Sequence, residues 1–379
     1  AMGNGFGFAF DDGLALAELF GPARGSFVVE LAEGVSDLES AEFDCTALGR
    51  VLEARRATLS GESVGMDELE ELYEGALEDV FPVRCDAGEL VSLPDAWPAP
   101  ADRAVPRPPH GAARPRFLIP VFPGTNCEYD SARAWERVGA KPEIMVVRNL
   151  TPQAVEETVT VMAETIKRAQ ILMLPGGYSG GDEPDGTGKF IAAMFRAPQI
   201  AEAVHRLLHD HDGLILGICN GFQALLKLGL LPYGEITDLD ENTPTLTYNN
   251  IGRHVSQTVR VRVASNLSPW LSGVNVGDTH TLAVSHGEGR FYADGRTVAA
   301  LRVRGQIATQ YVNEKGEPTL DQPYNPNGSV NAIEGITSPD GRIYGRMAHA
   351  ERIGKNISMN VPGEMNQMIF ESGAGYFIR

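Results

Sequence analysis

The chain has 379 residues, long enough for two or three domains with substantial cores. Its 32 Lys+Arg against 50 Asp+Glu leave a net charge of −18, which argues against a nucleic-acid or anionic-membrane surface as the main business. Four cysteines without a CxxC pair point to neither a disulfide framework nor a zinc site, and a reducing cytoplasm fits best.

The first stretch, "AMGNGFGF", has no positively charged segment of the kind that opens a signal peptide. "FAFDDGLALAELFG" reads as a strand end followed by a helix capped by Asp11 or Asp12, and "GSFVVEL" as a strand. "MDELEELYEGALEDVF", Met66 to Phe81, reads as an acidic amphipathic helix with Leu69, Leu72, Leu77 and Val80 on its apolar face. Residues 1–92 thus form a small α/β segment. The seven prolines between Leu93 and Arg116 deny that stretch regular ladders, so 93–116 is a linker.

From 117 to 379 the rhythm is regular. "RFLIPVF" is a strand, "DSARAWERVGA" a helix with Asp130 as cap and Gly139 near its end, and "EIMVV" a strand. The helix of "TPQAVEETVTVMAETIKRA" takes Thr151 as cap and Pro152 as its first residue. "QILMLPGG" and "GLILGIC" are buried strands separated by the helical stretches "KFIAAMF" and "QIAEAVHRLLHDH". Strands alternating with helices predict an open, mostly parallel, doubly wound α/β sheet. After Thr245 the pattern turns β-rich, with strands expected in "TVRVRVAS", "THTLAVSHGEGRFYA", "VAALRVRG" and "IATQYVN".

Chemistry in such a sheet collects at the carboxyl ends of the strands, where Cys219 lies. Gly217 and Gly221 flank it as G-x-C-x-G, the cysteine form of a strand–turn–helix nucleophile elbow. The following helix aims its N-terminus at the sulfur, which favours thiolate. Cys127, also between a strand and a helix, lacks flanking glycines and reads as a loop residue near the site, whereas Cys45 and Cys85 read as core. An oxyanion hole is expected from the backbone amide of Asn220 and the glycine pair Gly176-Gly177.

A cysteine nucleophile wants a histidine with an orienting acid. Two H-x-E pairs compete: His286 with Glu288 in "SHGEGR", which reads as a loop, and His349 with Glu351 in "MAHAER", at a strand end after an Asp340-Gly341 turn. The local chemistry leans toward His349 without deciding.

The stretches "PGTNCEYD", "LPGGYSGGD", "GICNGFQALLKLGLLP", "SHGEGRF", "YNPNGS" and "MAHAER" resemble the class I (triad) glutamine amidotransferases, flavodoxin-like in fold, and more narrowly the glutaminase part of the phosphoribosylformylglycinamidine synthase family. The resemblance implies Cys219 as nucleophile, His349 as base and Glu351 as its acid, acting on glutamine and supplying ammonia for purine biosynthesis. It implies Gly177 and Asn220 as the oxyanion hole, and Gly176, Gln223, His286, Glu288 and Arg290 near the substrate or the ammonia exit. Ala350 stands where the family has proline, and Ser179-Gly180-Gly181-Asp182 where it often has S-Y-G-D. "DDGLALAELFG", "GSFVVEL" and "LEDVFP" resemble the end of the synthetase part, so the chain reads as a C-terminal piece of a larger polypeptide whose other part is the partner. No cofactor is expected in this chain; ATP and Mg²⁺ are expected in the rest of the enzyme. A stand-alone Cys–His hydrolase of the same fold and an inert docking module are the competing readings.

Overall fold

The computed structural model describes residues 3, 5–32, 34–35, 45–82, 85, 115–179 and 188–378. The chain divides into two compact units, Ala1–Val83 and Arg84–Arg379. Most of the proline-rich stretch 93–116, and Gly180 to Asp182, lie outside the described residues.

The first unit holds β1 (Gly7–Phe10), α1 (Leu16–Phe20), β2 (Gly49–Leu52), β3 (Arg56–Leu59), β4 (Glu62–Gly65) and α2 (Met66–Gly75). Its four strands run in the order β2-β1-β3-β4. Four expectations fail here, one of them the reading of Cys45 as core, since it is exposed. The first helix starts four residues after Asp12, so neither Asp11 nor Asp12 caps it. "GSFVVEL" forms no strand, and Phe27 and Val28 are 89% and 85% exposed. Its β-branched residues suit a pleated surface, but a strand forms only where an edge offers ladder partners. The acidic helix stops at Gly75, leaving Leu77 and Val80 beyond it, and only Met66 of α2 is buried.

The second unit opens with β5 (Arg116–Val121), α3 (Glu128–Arg137), β6 (Lys141–Val146), α4 (Pro152–Ile166), β7 (Ile171–Leu174), α5 (Lys189–Phe195), α6 (Pro198–His209), β8 (Leu214–Ile218), α7 (Asn220–Leu228) and α8 (Leu230–Tyr233). It continues through β9 (Thr245–Tyr248), β10 (Val255–Val263), β11 (Thr279–His286), β12 (Glu288–Tyr292), α9 (Gly295–Val303), β13 (Ile307–Tyr311), β14 (Ile333–Thr337), β15 (Ile343–Arg346) and α10 (Ile369–Gly375). Nine strands form one sheet, in the order β11-β10-β13-β14-β15-β8-β7-β5-β6. From β15 to β6 every neighbour is parallel. The β-rich second half extends that same sheet through β14, β13, β10 and β11 with antiparallel pairs, while β9 and β12 form a two-stranded sheet.

The parallel strands β7 and β8 are buried along their whole length, as both faces are covered by helices. The cap of α4 is as expected: the Thr151 side chain accepts from the Ala154 N–H at 3.1 Å, with Pro152 first in the helix. On α3, however, the helix begins two residues before Asp130. Cys127 is its N-cap residue, and Asp130 pairs with Arg133 at 3.1 Å inside the first turn. "VAALRVRG" is another correction. It belongs to α9, where Asp294 accepts from the Thr297 N–H at 2.7 Å and Val298 and Leu301 turn inward three residues apart. A short run of Val, Ala and Leu fits either period, and the cap decides. Among the described residues no helix is long and apolar enough to cross a membrane.

Candidate active site

Strands β5, β7, β8 and β15 lie side by side and parallel, so their carboxyl ends bring four loops to one edge of the sheet. Those loops carry Cys127, Gly176-Gly177, Cys219 and His349. Cys219 is buried, with φ 53° and ψ −107°, a left-handed φ that is strained for a side-chain-bearing residue. It sits between β8 and α7, the sharp turn that G-x-C-x-G predicts.

The flanking glycines are required by close approach. A Cβ on Gly221 would lie 2.0 Å from the Leu174 carbonyl oxygen at the end of β7. One on Gly217 would lie 2.5 Å from Leu225 Cδ1 and 2.8 Å from the Gly221 carbonyl. The elbow can therefore pack against β7 and α7 only with both side chains absent. The Cys219 N–H donates to the Arg346 carbonyl of β15 at 2.8 Å, and its Sγ lies 3.8 Å from the Ser285 carbonyl.

His349 leaves the end of β15 and is pinned by its own N–H, which donates to the Ala283 carbonyl of β11 at 2.9 Å. Its Nδ1 is 2.6 Å from Glu351 Oε1, and both side chains are buried. Burial alone would push the imidazole pKa down. The Glu351 carboxylate, with the sulfurs of Cys127 and Cys219, outweighs it and holds the ring well above its ordinary value. Burial likewise pushes Glu351 up, but the His349 charge and hydrogen bond bring its carboxyl below the usual range. Nδ1 is engaged by Glu351, which leaves Nε2 as the nitrogen for a reacting group.

Gly176 lies at the centre of this arrangement: a Cβ there would be 2.8 Å from His349 Cε1, 3.1 Å from Cys127 Sγ and 3.5 Å from Cys219 Cβ. Gly177, at φ 144°, bends the loop so that its backbone nearly touches Thr125, an approach that only glycine allows. The Asn220 amide, in the first turn of α7 directly after Cys219, has no intrahelical acceptor. The Asn220 side chain ties the two loops together. Its Oδ1 accepts from Ser179 N–H at 3.2 Å, and its Nδ2 donates to Gln223 Oε1 at 3.0 Å.

The competing H-x-E pair is built differently. "SHGEGR" is not a loop: His286 ends β11 and Glu288 begins β12. His286 is buried and its pKa is pushed down to about 3, chiefly by burial and next by the His349 charge. Its Nδ1 lies 3.1 Å from Asn249 Oδ1 and its Nε2 3.5 Å from Asn327 Nδ2, partners that suit a neutral ring with the proton on Nδ1. Gln223 Nε2 donates to the Glu288 carbonyl at 2.7 Å. Glu288 is buried, and Arg290 Nε donates to the Gly328 carbonyl at 3.3 Å. Asn325, Asn327 and Ser329 are turn formers, as their types suggest, and are also fully buried in the same hydrogen-bond network.

Cys127 lies near the site, as its sequence position suggests, and one residue beside it, Arg352, escapes the sequence reading. Cys127 Sγ comes within 4.0 Å of His349 Nδ1, and the Arg352 guanidinium donates to that sulfur at 3.2 Å. Arg352 directly follows the H-x-E acid, so adjacency was the only signal for it. Cys127 Sγ, His349 Nδ1 and a Glu351 oxygen lie within 4.8 Å of one another, the one such set among the described residues. The 2.6 Å separation of Nδ1 and Oε1 is a hydrogen bond; a cation between them needs about 2.0–2.2 Å to each and would force them apart.

Comparison with known proteins places the chain in a family. Residues 114–377 match the family described as a CobB/CobQ-like glutamine amidotransferase domain. The chain is 34% identical to the phosphoribosylformylglycinamidine synthase subunit PurQ of Methanococcus maripaludis, over 64% of this chain and 84% of that one. It is 32% identical to the PurQ subunit of Salinibacter ruber, over 68% and 94%. A chain in the structure of PurLQS from Thermotoga maritima superposes with a TM-score of 0.50 at 25% identity, covering 69% of this chain and 99% of that one.

Proposed function

The chain belongs to the CobB/CobQ-like glutamine amidotransferase family, and we propose that its chemistry is carried by Cys219, His349 and Glu351. The function is that of the glutaminase component of phosphoribosylformylglycinamidine synthase in purine biosynthesis. The observation that carries the site assignment is the placing of one imidazole, oriented by a buried carboxylate at 2.6 Å, beside the elbow cysteine.

In the proposed reaction the Cys219 thiolate attacks the side-chain amide carbon of glutamine. The oxyanion forms against the amides of Gly177 and Asn220. The C–N bond breaks as His349 gives its proton to the leaving nitrogen, which departs as ammonia. Water then adds to the γ-glutamyl thioester, His349 takes its proton, and the C–S bond breaks to release glutamate and restore the thiolate. Glu351 fixes the ring's tautomer and stabilises its charged form. The raised pKa of His349 supports this reading, because the ring must carry a proton when ammonia leaves.

Ammonia is proposed to pass to a synthetase partner in the cytoplasm. There ATP and Mg²⁺, held by the partner, would supply the activation of the amide oxygen of formylglycinamide ribonucleotide that ammonia needs to give formylglycinamidine ribonucleotide. The fold shared with a PurLQS chain supports such a partner. Residues 1–92 are read as the tail of that synthetase part, 93–116 as the linker and 117–379 as the glutaminase. The exposed Phe20, Phe27 and Val28 of the first unit suit a reading in which more protein covers them. The test is glutamine hydrolysis by the chain alone and with a synthetase added, comparing wild type with Cys219→Ala. Turnover surviving in Cys219→Ala would sink the proposal.

A further inference from the structure

A fully buried ion pair lies directly behind the site, and the triad reaction makes no use of it. Glu334, on β14, and Arg346, the last residue of β15, have side chains with 0% exposure. The Arg346 Nε donates to Glu334 Oε1 and an NH₂ nitrogen to Oε2, each at 3.2 Å, a two-pronged fork. The carboxylate has two more donors. The Thr309 Oγ1–H donates a hydrogen bond to Oε2 at 2.5 Å, and the Ala348 backbone N–H donates to Oε1 at 2.8 Å. The other arm of the guanidinium donates to Gln367 Oε1.

Two of these bonds reach the reacting groups through one residue of backbone. Ala348 immediately precedes His349, so Oε1 fixes the chain as it leaves β15 toward the imidazole. The Arg346 carbonyl accepts the Cys219 N–H at 2.8 Å, so the residue whose side chain Glu334 grips also holds the elbow. The Glu334 carbonyl adds a third tie, accepting from the Met347 N–H at 3.3 Å. A buried ion pair is an expensive way to fill space, and apolar side chains of similar volume serve as well or better for stability. What they cannot supply is an acceptor for the Ala348 N–H.

We propose that Glu334, held by Arg346, is a positioning residue that sets the His349 imidazole against the Cys219 sulfur. It touches no substrate, and the inference rests on the assignment of Cys219 and His349 made above. Reacting groups must sit in near-attack geometry, where a displacement of about 1 Å costs about 100-fold in rate.

The test compares two charge-free pairs, so that neither leaves a buried charge without its partner. Glu334→Leu with Arg346→Met removes the acceptor for Ala348. Glu334→Gln with Arg346→Met keeps an oxygen there. Each variant of the 379-residue chain is assayed with a synthetase partner for glutamine turnover, and alone for labelling of Cys219 by a glutamine-like chloroketone. The Leu/Met pair should fold, as judged by circular dichroism, and keep its KM within about 3-fold while kcat falls about 10- to 100-fold. The Gln/Met pair should recover most of that loss. A Leu/Met pair that folds and turns over as fast as wild type overturns the proposal, as does an equal loss in both pairs. If the Leu/Met protein does not fold, Thr309→Val decides. It slackens the carboxylate, so a lower kcat at unchanged KM supports positioning, whereas a lower melting temperature with unchanged kcat refutes it. Wild type labelled at Cys127 instead of Cys219 would remove the underlying assignment. Wild type labelled at Cys219 beside an unaffected Leu/Met pair would remove only this inference.

Discussion

Replacing Glu351 by Gln leaves the shape of the site nearly intact and takes away the charge that keeps His349 protonated. The hydrogen-bonded atoms are 2.6 Å apart and both groups are buried. Taking the charge centres as about 4 Å apart at an effective dielectric of about 20, their attraction is about 4 kcal/mol. Burial, which pushes the ring down, is unchanged by the substitution. With only the Cys127 and Cys219 sulfurs left to oppose burial, the imidazole should drop from well above its ordinary value to below it, and at neutral pH no proton would be ready for departing ammonia. The corresponding loss in a Ser-His-Asp triad is about 10⁴-fold in kcat, and a fall of about 10³- to 10⁴-fold is expected here.

The same substitution reverses a stability trend. In wild type the folded-state pKa of His349 lies above the unfolded value of about 6.5, so its contribution is full below that pH and is lost as pH rises through the folded value. In Glu351→Gln the folded value lies below the unfolded one, so stability is instead lost as pH falls below about 6.5. The assays are glutamine turnover and melting temperature between pH 5.5 and 8.5, each read as the difference between the two proteins so that other titrating groups cancel. Equal kcat values, or parallel melting profiles, would refute the coupling of His349 to Glu351.

His286 gives the opposite pattern. With its pKa pushed down to about 3, its burial favours the folded state above the unfolded value and costs about 1.4 kcal/mol per pH unit below about 6.5. His286→Asn should therefore flatten acid unfolding, measured by circular dichroism, while Cys219 still reacts with a glutamine-like chloroketone. Gly176→Ala would place a methyl 2.8 Å from His349 Cε1 and should lower kcat in a folded protein. Gly221→Ala would drive one to within 2.0 Å of a backbone oxygen and should reduce soluble, folded protein instead. Thr151→Ala removes the cap of α4 and should cost about 1 kcal/mol in urea unfolding without altering turnover.

The parts of the fold carried by local chemistry were legible in the sequence. Thr151-Pro152 announced a helix start, the three apolar residues before Gly217 a buried strand, and the paired glycines a turn that no larger residue could make. What the sequence hid depends on partners far along the chain. "GSFVVEL" has the composition of a strand but pairs with no strand among the described residues, and "VAALRVRG" was settled by Asp294 outside the run itself. Which H-x-E pair lies beside Cys219 followed from the parallel pairing of β15 with β8, since that ladder delivers His349 there. His286 arrives on β11 with amide partners for both nitrogens. Glu334 and Arg346 carried no motif, because their task appears only when β14 and β15 pair and the chain turns out of the sheet.

The central claim is that Cys219 is the nucleophile, with the second buried cysteine, Cys127, a neighbour of the same imidazole. Mass spectrometry of the peptide labelled by a glutamine-like chloroketone, in wild type and in Cys127→Ala, tests it directly. The expected result is a single adduct on Cys219 in both proteins. An adduct on Cys127, absent from Cys127→Ala, would contradict it.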